Sequence, residues 1–399
     1  KRPHIQQLIN NLEQLNYITL FPIQQLTVSL DDNNAFIQSP CGSGKTLAAL
    51  LPYLMRNEPR VVIYMSINAI LCYQVRQLIQ QLTNEIPTFQ LTDFTPLRGP
   101  TPTNKTLFIV ATPQQLQLFL HKHKLVLSQK TTLIIDEADQ QIKQQPLLFN
   151  QLFKLLSPGY SASNSPFCKQ LQMQMIFMSA TLKMNEHLLN NLNLKPGRFY
   201  KLSSLQEQKS FIHINTVQYL DFIYSSLKSG LLKTPCVVFL QSFNQIDDLT
   251  MSLMVLRQDT ENFKLNLLYK NLKSVKSDFL NINQEIEETS VVFTTSEFAR
   301  GFDFHFKTAV SCGAVENDEL VHRMGRAGRG FDSGVGYYLG NERKIEVLAE
   351  LGSIQVFNSL DMFINENNIS EGINVVKEFQ KFKKESESEQ IGLVQFLDG

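Results

Sequence analysis

Three short stretches carry side chains whose types and spacing could do chemistry. "SPCGSGKT" (Ser39–Thr46) joins an apolar run to a helix-like one. Gly42 and Gly44 let a backbone close around a polyphosphate, with the N–H groups of the loop, including that of Ser43, aimed at it. Lys45 then suits the β- and γ-phosphates and Thr46 suits Mg²⁺, although Ser39 stands where the strict phosphate-loop pattern has Gly. "LIIDEADQQ" (Leu133–Gln141) ends an aliphatic run on Asp136, Glu137 and Asp139. A carboxylate buried without a partner is costly, so these acids need something to face. "HRMGRAGRG" (His322–Gly330) spaces His322, Arg326 and Arg329 at i, i+4 and i+7, with Arg323 alongside. On a helix they share one face, and that much positive charge suits an anion. Alone, the stripe also reads as a solvated basic face, and the acids as ordinary decoration of a helix N-terminus.

The elements that must position these residues are legible as β-branched runs alternating with helix-like segments. The first series is Ala35–Ser39, Arg60–Met65, Leu107–Thr112, Thr132–Asp136 and Met175–Ala180. The second is Cys236–Ser242, Leu265–Tyr269, Ser290–Thr295, Thr308–Cys312 and Gly334–Leu339. Continuous apolar strands separated by helices indicate parallel sheets covered on both faces, hence an α/β fold in two domains. In such sheets ligands bind beyond the carboxyl ends of the strands. The phosphate loop and the acids therefore reach one rim, where Asp136 would hold Mg²⁺ and Glu137 would polarise an attacking water. The expected limits are residues 1–205 for the first domain, 206–216 for a linker, 217–360 for the second domain and 361–399 for a partly flexible C-terminal extension. "SPGYSASNSPF" (Ser157–Phe167) reads as a surface loop and "KEFQKFKKESESEQ" (Lys377–Gln390) as a solvated tail.

Bulk properties narrow the function classes. The 399 residues hold 37 Lys+Arg against 37 Asp+Glu, so no overall field draws the chain to a polyanion or a membrane. No apolar run approaches the length of a membrane span. Five scattered cysteines without a C-x-x-C pair indicate reduced thiols and an intracellular protein, with nucleus, cytoplasm and mitochondrion all open. "HKHK" (His121–Lys124) reads as an exposed helix end, and His187, His213 and His305 as structural.

Taken in order, the motifs resemble those of the DEAD-box RNA helicases of superfamily 2, from about Ile5 to Leu360. The resemblance implies two tandem RecA-like domains with parallel sheets flanked by helices, plus a short C-terminal tail. It implies ATP and Mg²⁺ as cofactors and RNA as partner. Within "LFPIQ" (Leu20–Gln24), Gln24 would read the adenine edge. "MSAT" (Met178–Thr181) would couple nucleotide state to RNA through Ser179 and Thr181, with Asp139 and His322. "CVVFLQSFNQ" (Cys236–Gln245) occupies the place of motif IV. In "FARGFDF" (Phe298–Phe304), Asp303 would contact ribose and Arg300 would lie on the RNA side with Thr112, Pro113 and Thr295. Arg326 and Arg329 would meet the γ-phosphate, a role worth roughly 10³–10⁵ in rate.

The departures from the family concentrate on the RNA side. "INAILC" (Ile67–Cys72) replaces "PTRELA", so Ala69 and Ile70 stand for Arg and Glu. "TPQQ" (Thr112–Gln115) replaces "TPGR", putting Gln115 at the arginine. Ser274 and Ser277 fall at the expected Gln and Arg of the Q-x-x-R region, Thr295-Ser296 replaces Thr-Asp, and Gln7 stands where an aromatic is usual. The ATP side keeps its residues. The reading is an ATP-dependent RNA helicase or RNP remodeller, monomeric outside a complex, with weakened or altered RNA contacts. The alternatives are an ATP-gated RNA clamp or RNP assembly factor with little intrinsic unwinding, and a DNA-directed superfamily 2 motor; the altered contacts either make RNA engagement depend on an activating protein or large RNP or are compensated by lysines such as Lys270 and Lys273.

Overall fold

The structure, a computed structural model, describes residues 3–40, 42–56, 58–83, 85–91, 106–122, 131–156, 173–180, 197–202, 209–256, 264–267, 290–296, 306–328, 333–369, 376–377 and 380–381. The chain divides into two compact units, Lys1–Ser203 and Ser204–Gly399.

In the first unit the described strands are β1 (Asn34–Gln38), β2 (Arg60–Met65), β3 (Thr88–Gln90), β4 (Thr106–Ala111), β5 (Thr131–Ile135), β6 (Gln174–Ser179) and β7 (Gly197–Lys201). They form one parallel sheet in the order β3-β4-β2-β5-β6-β1-β7. Its helices are α1 (Pro3–Gln14), α2 (Pro22–Thr27), α3 (Lys45–Arg56), α4 (Ala69–Leu82), α5 (Pro113–Lys122), α6 (Ala138–Gln144) and α7 (Pro146–Leu156). Alternate strand residues serve two cores. Ile37, Val62, Val110 and Ile134 pack with Leu50, Leu54 and Ile79 of α3 and α4, while Ile63, Ile109 and Ile135 pack with Phe119, Ile142 and Phe149 of α5 to α7. Because both faces are covered, the strands read as continuous apolar runs.

The second unit repeats the plan. Its described strands are β8 (Lys209–Ile214), β9 (Cys236–Phe239), β10 (Lys264–Leu267), β11 (Ser290–Thr294), β12 (Thr308–Cys312), β13 (Gly334–Leu339) and β14 (Ser353–Phe357), all parallel in the order β10-β11-β9-β12-β13-β8-β14. The helices are α8 (Tyr219–Lys228), α9 (Phe243–Leu256), α10 (Asn317–Met324), α11 (Ile345–Ala349) and α12 (Leu360–Asn367).

Every run expected as a strand is one; β3, β7, β8 and β14 were not anticipated. β3, β7 and β14 lie at sheet edges, where one face or one side is wet and the apolar run is broken. β8 alternates, and it occupies residues expected in the linker: Lys209–Ile214 pairs with β13 and β14 on either side. The expected C-terminal extension likewise contributes to the fold. Phe363 and Ile364 of α12, together with Ile369 and Val376, are buried in the second core. Residues 376–377 and 380–381 are helical, and Gln380 donates to Asp221 Oδ2 at 3.2 Å, so the start of the expected tail is attached. The rest of that tail and the Ser157–Phe167 loop lie outside the described residues.

Cys72, Cys236 and Cys312 are free and buried, and burial pushes the Cys72 and Cys312 thiols up to about 12. No described helix is long and apolar enough to cross a membrane. His213 is buried, its Nε2 3.0 Å from the Gly340 carbonyl and its ring against Tyr338, as its structural reading requires.

Candidate nucleotide site

β5, β6 and β1 are neighbours, so their carboxyl ends gather three motifs on one rim of the first sheet. After β1 the chain turns through Gly42 (φ 78°) and Gly44 (φ 84°), a left-handed backbone that glycine adopts without penalty. Gly44 has a second reason to be glycine: a Cβ there would collide with the Gln24 amide. That amide is buried and ties α2 to the loop. Its Oε1 accepts from Phe21 N at 2.9 Å and its Nε2 donates to the Gly44 carbonyl at 3.2 Å. Ser43 Oγ donates to the Pro40 carbonyl at 2.6 Å, while Lys45 Nζ caps the Ser39 and Pro40 carbonyls at 2.8 and 2.9 Å. The lysine is thus curled back onto the carbonyls of its own loop. Thr46 follows in the first turn of α3, half-buried.

Asp136 comes directly after β5 and is buried, and its partners answer the cost of burying it. Tyr64 Oη donates to Oδ2 at 2.8 Å, and Glu137 N–H donates to Oδ1 at 3.1 Å. Burial, then the neighbouring Glu137 charge, raises the carboxyl above its ordinary range; the Tyr64 hydroxyl and the Lys45 ammonium pull it back down. Gln141 Nε2 donates to the Asp136 carbonyl, which clamps the strand end from α6. Glu137 has φ 46° and ψ 50°, the left-handed region for a side-chain-bearing residue, a strain of about 1–3 kcal/mol that clusters at functional sites. Its Oε2 accepts from Ser179 Oγ at 3.3 Å, joining the end of β5 to the end of β6. Asp139 sits in the first turn of α6, its Oδ1 accepting from Gln140 N at 2.9 Å.

The donor set fits magnesium: Thr46 hydroxyl and Asp136 carboxylate are hard oxygens, few in number, suited to a cation that takes the rest of its ligands from phosphate and water. Tyr64 and Gln141 escaped the motif reading. Tyr64 had one signal, a hydroxyl in the otherwise aliphatic strand "RVVIYM".

In the second unit the spacing argument over His322–Arg329 is corrected. α10 ends at Met324, Gly325 caps it, and Arg326 N and Ala327 N turn back to the Arg323 and Met324 carbonyls at 3.2 and 3.1 Å. Arg326 therefore lies in a turn and not on the helix face of His322; two glycines, Gly325 and Gly328 (φ 57°), break the period. Arg329 lies outside the described residues, as do Thr181, Arg300 and Asp303. Arg323 is buried rather than displayed, bonded to Glu319, to Ser311 Oγ at 3.0 Å and to Ser296 Oγ at 2.7 Å. His322 and Arg326 are also buried.

The described RNA-side residues have local tasks. Thr112 N–H donates to Gln115 Oε1 at 3.3 Å, and Gln115 N–H donates to Thr112 Oγ1 at 3.4 Å. "TPQQ" is thus a capping box at the start of α5, with Pro113 in the first turn. Ala69 is the exposed first residue of α4, whose cap is Asn68. Thr295 is buried with no bond to its Oγ1. Gln7 is exposed on α1, and Ser274 and Ser277 are outside the described residues.

The DEAD/DEAH box helicase family model matches residues 21–189, the segment that holds this rim. Over that segment the chain is similar to the DEAD/DEAH box helicases. Among curated DEAD-box relatives it is 24% identical over 357 residues to ATP-dependent RNA helicase ROK1 of Saccharomyces cerevisiae, covering 82% of this chain and 60% of that protein. It is 24% identical over 358 residues to DEAD-box ATP-dependent RNA helicase CshC of Bacillus cereus, covering 85% of this chain and 87% of that one. This chain spans about three fifths of the length of ROK1 proteins. In fold it is similar to Mss116p bound to ssRNA and AMP-PNP (TM-score 0.67, 17% identity, 92% of this chain and 80% of that one). It is similar also to S. cerevisiae Dbp5 bound to RNA and ADP BeF3 (TM-score 0.65, 16% identity, 92% and 97%). The sheets and their flanking helices are those of RecA-like DEAD-box domains.

Proposed function

We propose that the chain is an ATP-dependent RNA helicase or RNP remodeller that couples ATP hydrolysis to RNA binding and local duplex destabilisation. The observation that carries the reading is the convergence of Lys45, Thr46, Asp136 and Glu137 on one sheet rim, with Ser179 already bonded to Glu137. ATP binding releases Lys45 from the Ser39 and Pro40 carbonyls to the β- and γ-phosphates. Gly42, Ser43 and Gly44 present loop N–H groups to the same phosphates, and Gln24 offers its amide to adenine. Thr46 and Asp136 would hold Mg²⁺, which when bound neutralises charge on the transferring phosphoryl group. Glu137 orients and polarises the water in line with the leaving group, held by Ser179 from the next strand. Arg326 and Arg329 are assigned to the γ-phosphate in the transition state, and Asp303 to the ribose. Asp139, Ser179, Thr181 and His322 couple nucleotide state to RNA, which Thr112, Pro113, Thr295 and Arg300 contact. The first domain, residues 1–205, and a second domain that takes in β8 and α12 divide this labour, with a monomer working alone or with an activating protein or RNP. The buried, reduced thiols suit an intracellular protein.

ATPase rate with and without single-stranded RNA tests this. RNA should raise the rate, and Lys45→Ala should abolish it. A chain that turns over ATP equally well without RNA is not this enzyme.

A further inference from the structure

Gln141 is a buried amide beside the left-handed turn at Glu137, and none of the catalytic or binding roles assigned above uses it. It reaches from α6 across the ends of β5 and β2. Its Nε2 donates to the Asp136 carbonyl and, at 3.4 Å, to the Met65 carbonyl. Two carbonyls converge on that end of the amide, so it is the nitrogen that faces them. The consequence lies in the peptide planes on either side of Glu137. The plane before it is held at both ends: Gln141 Nε2 donates to the Asp136 carbonyl, and the Glu137 N–H donates to Asp136 Oδ1 at 3.1 Å. The plane after it is held through the Glu137 carbonyl, which accepts from Gln141 N at 3.0 Å. Two planes fixed in space leave the φ and ψ between them little freedom, and here those angles are 46° and 50°. A left-handed residue that carries a side chain persists only where its surroundings over-determine it.

Resting on the assignment of Glu137 to the attacking water, we infer that Gln141 is a positioning residue for that carboxylate. The side chain and backbone of one residue pin both flanking peptides, and so fix the direction in which the Glu137 side chain leaves the rim. Ser179 Oγ then holds its far end, at Oε2. A residue that only filled space under α6 would not be an amide. Gln141 Oε1 is buried with no hydrogen-bond partner among the described residues, a cost that an apolar side chain of the same length avoids. Without the amide, the peptide before Glu137 is free to rotate and the left-handed backbone to relax, which re-aims the carboxylate. A displacement of about 1 Å at a reacting group costs on the order of 10²-fold in rate.

The test compares the full chain with Gln141→Met, which keeps the length of the side chain and removes the amide. At saturating ATP and single-stranded RNA, single-turnover hydrolysis should slow on the order of 10- to 100-fold, with equilibrium ATP affinity within about 2-fold of the parent. Hydrogen exchange without nucleotide should quicken at the Glu137 and Gln141 N–H groups and stay unchanged in α3. Glu137→Gln, run alongside, separates this inference from the reading beneath it. If Glu137→Gln abolishes turnover while Gln141→Met keeps the parent rate, loses rate and ATP affinity together, or leaves exchange unmoved, the positioning role alone is overturned. If Glu137→Gln turns over like the parent, the water assignment is wrong and the role of Gln141 falls with it. Should Gln141→Met not fold, Gln141→Ala makes the same cut with a strong helix former and answers to the same outcomes. Failure of both to fold makes Gln141 a residue of the fold and overturns the inference.

Discussion

Glu137 combines a left-handed backbone, a carboxylate beside Asp136 and a bond from Ser179. Removing its charge while keeping its shape should separate binding from chemistry: Glu137→Gln is expected to abolish turnover with ATP affinity nearly unchanged, read by single-turnover hydrolysis against equilibrium binding. Gly44 makes the complementary case, since both its φ of 84° and the adjoining Gln24 amide exclude a side chain. Gly44→Ala should lose ATP binding itself and shift the loop's near-neighbours, which a binding assay distinguishes from the turnover defect of Glu137→Gln. Gln115 shows how a residue at a recognised motif position can change occupation. Where the family resemblance expects arginine, it closes the capping box of α5. Gln115→Arg should tighten RNA binding and steepen its salt dependence, while costing about 1 kcal/mol of cap stability; binding at two salt concentrations and a thermal melt check both halves.

Among the elements, the amino ends of the first sheet are held by a polar cluster remote from the nucleotide rim. Buried Arg60 of β2 donates to Thr132 Oγ1 of β5 at 2.9 Å and to Gln174 Oε1 of β6 at 3.2 Å, pairs with Asp32 and lies over the Tyr53 ring. Gln174 in turn donates to the Asp31 and Asn33 carbonyls, both at 2.7 Å. Three strands and the loop before β1 therefore share one guanidinium. Arg60→Ala should destabilise the first unit by about 3 kcal/mol, seen as a lower denaturation midpoint, without altering Mg²⁺ dependence of nucleotide binding. In the second unit, α8 carries buried Asp221, whose pKa is raised by burial against the weaker opposing pulls of its backbone and Gln380 bonds and Lys377. Its folded form holds a proton at pH values where the unfolded form has lost it, so stability falls as pH rises from about 4 through the raised value. Asp221→Asn should flatten that part of the profile and raise the melting temperature at neutral pH, measured by thermal melts across pH.

At the scale of the molecule, two units repeat one architecture, and among the described residues no member of the clusters around Ile134 and Ile135 belongs to those around Phe293 and Tyr338. Residues 1–203 alone should therefore fold and bind ATP, while turnover stimulated by RNA should need residues 204–399 as well, checked by binding and ATPase assays on the two lengths. Chain chemistry by itself determined the repeated parallel α/β plan, because strands buried on both faces must be continuously apolar. It also brought the glycine loop and the acids to one sheet rim, since the turn after β1 needs the left-handed backbone of Gly42 and Gly44. It erred where a period was extended through glycines: His322 and Arg326 were read onto one helix face, but α10 stops at Met324. It erred again at Lys209–Ile214, whose short alternating run becomes a strand only through pairing with β13 and β14. Tertiary structure alone decided the Tyr64–Asp136 bond and the burial of Arg323, since both depend on side chains 72 and 27 residues from their partners Asp136 and Ser296. Local propensity and spacing act over a few residues; hydrogen bonds between strands remote in sequence exist only once the sheet order has been set.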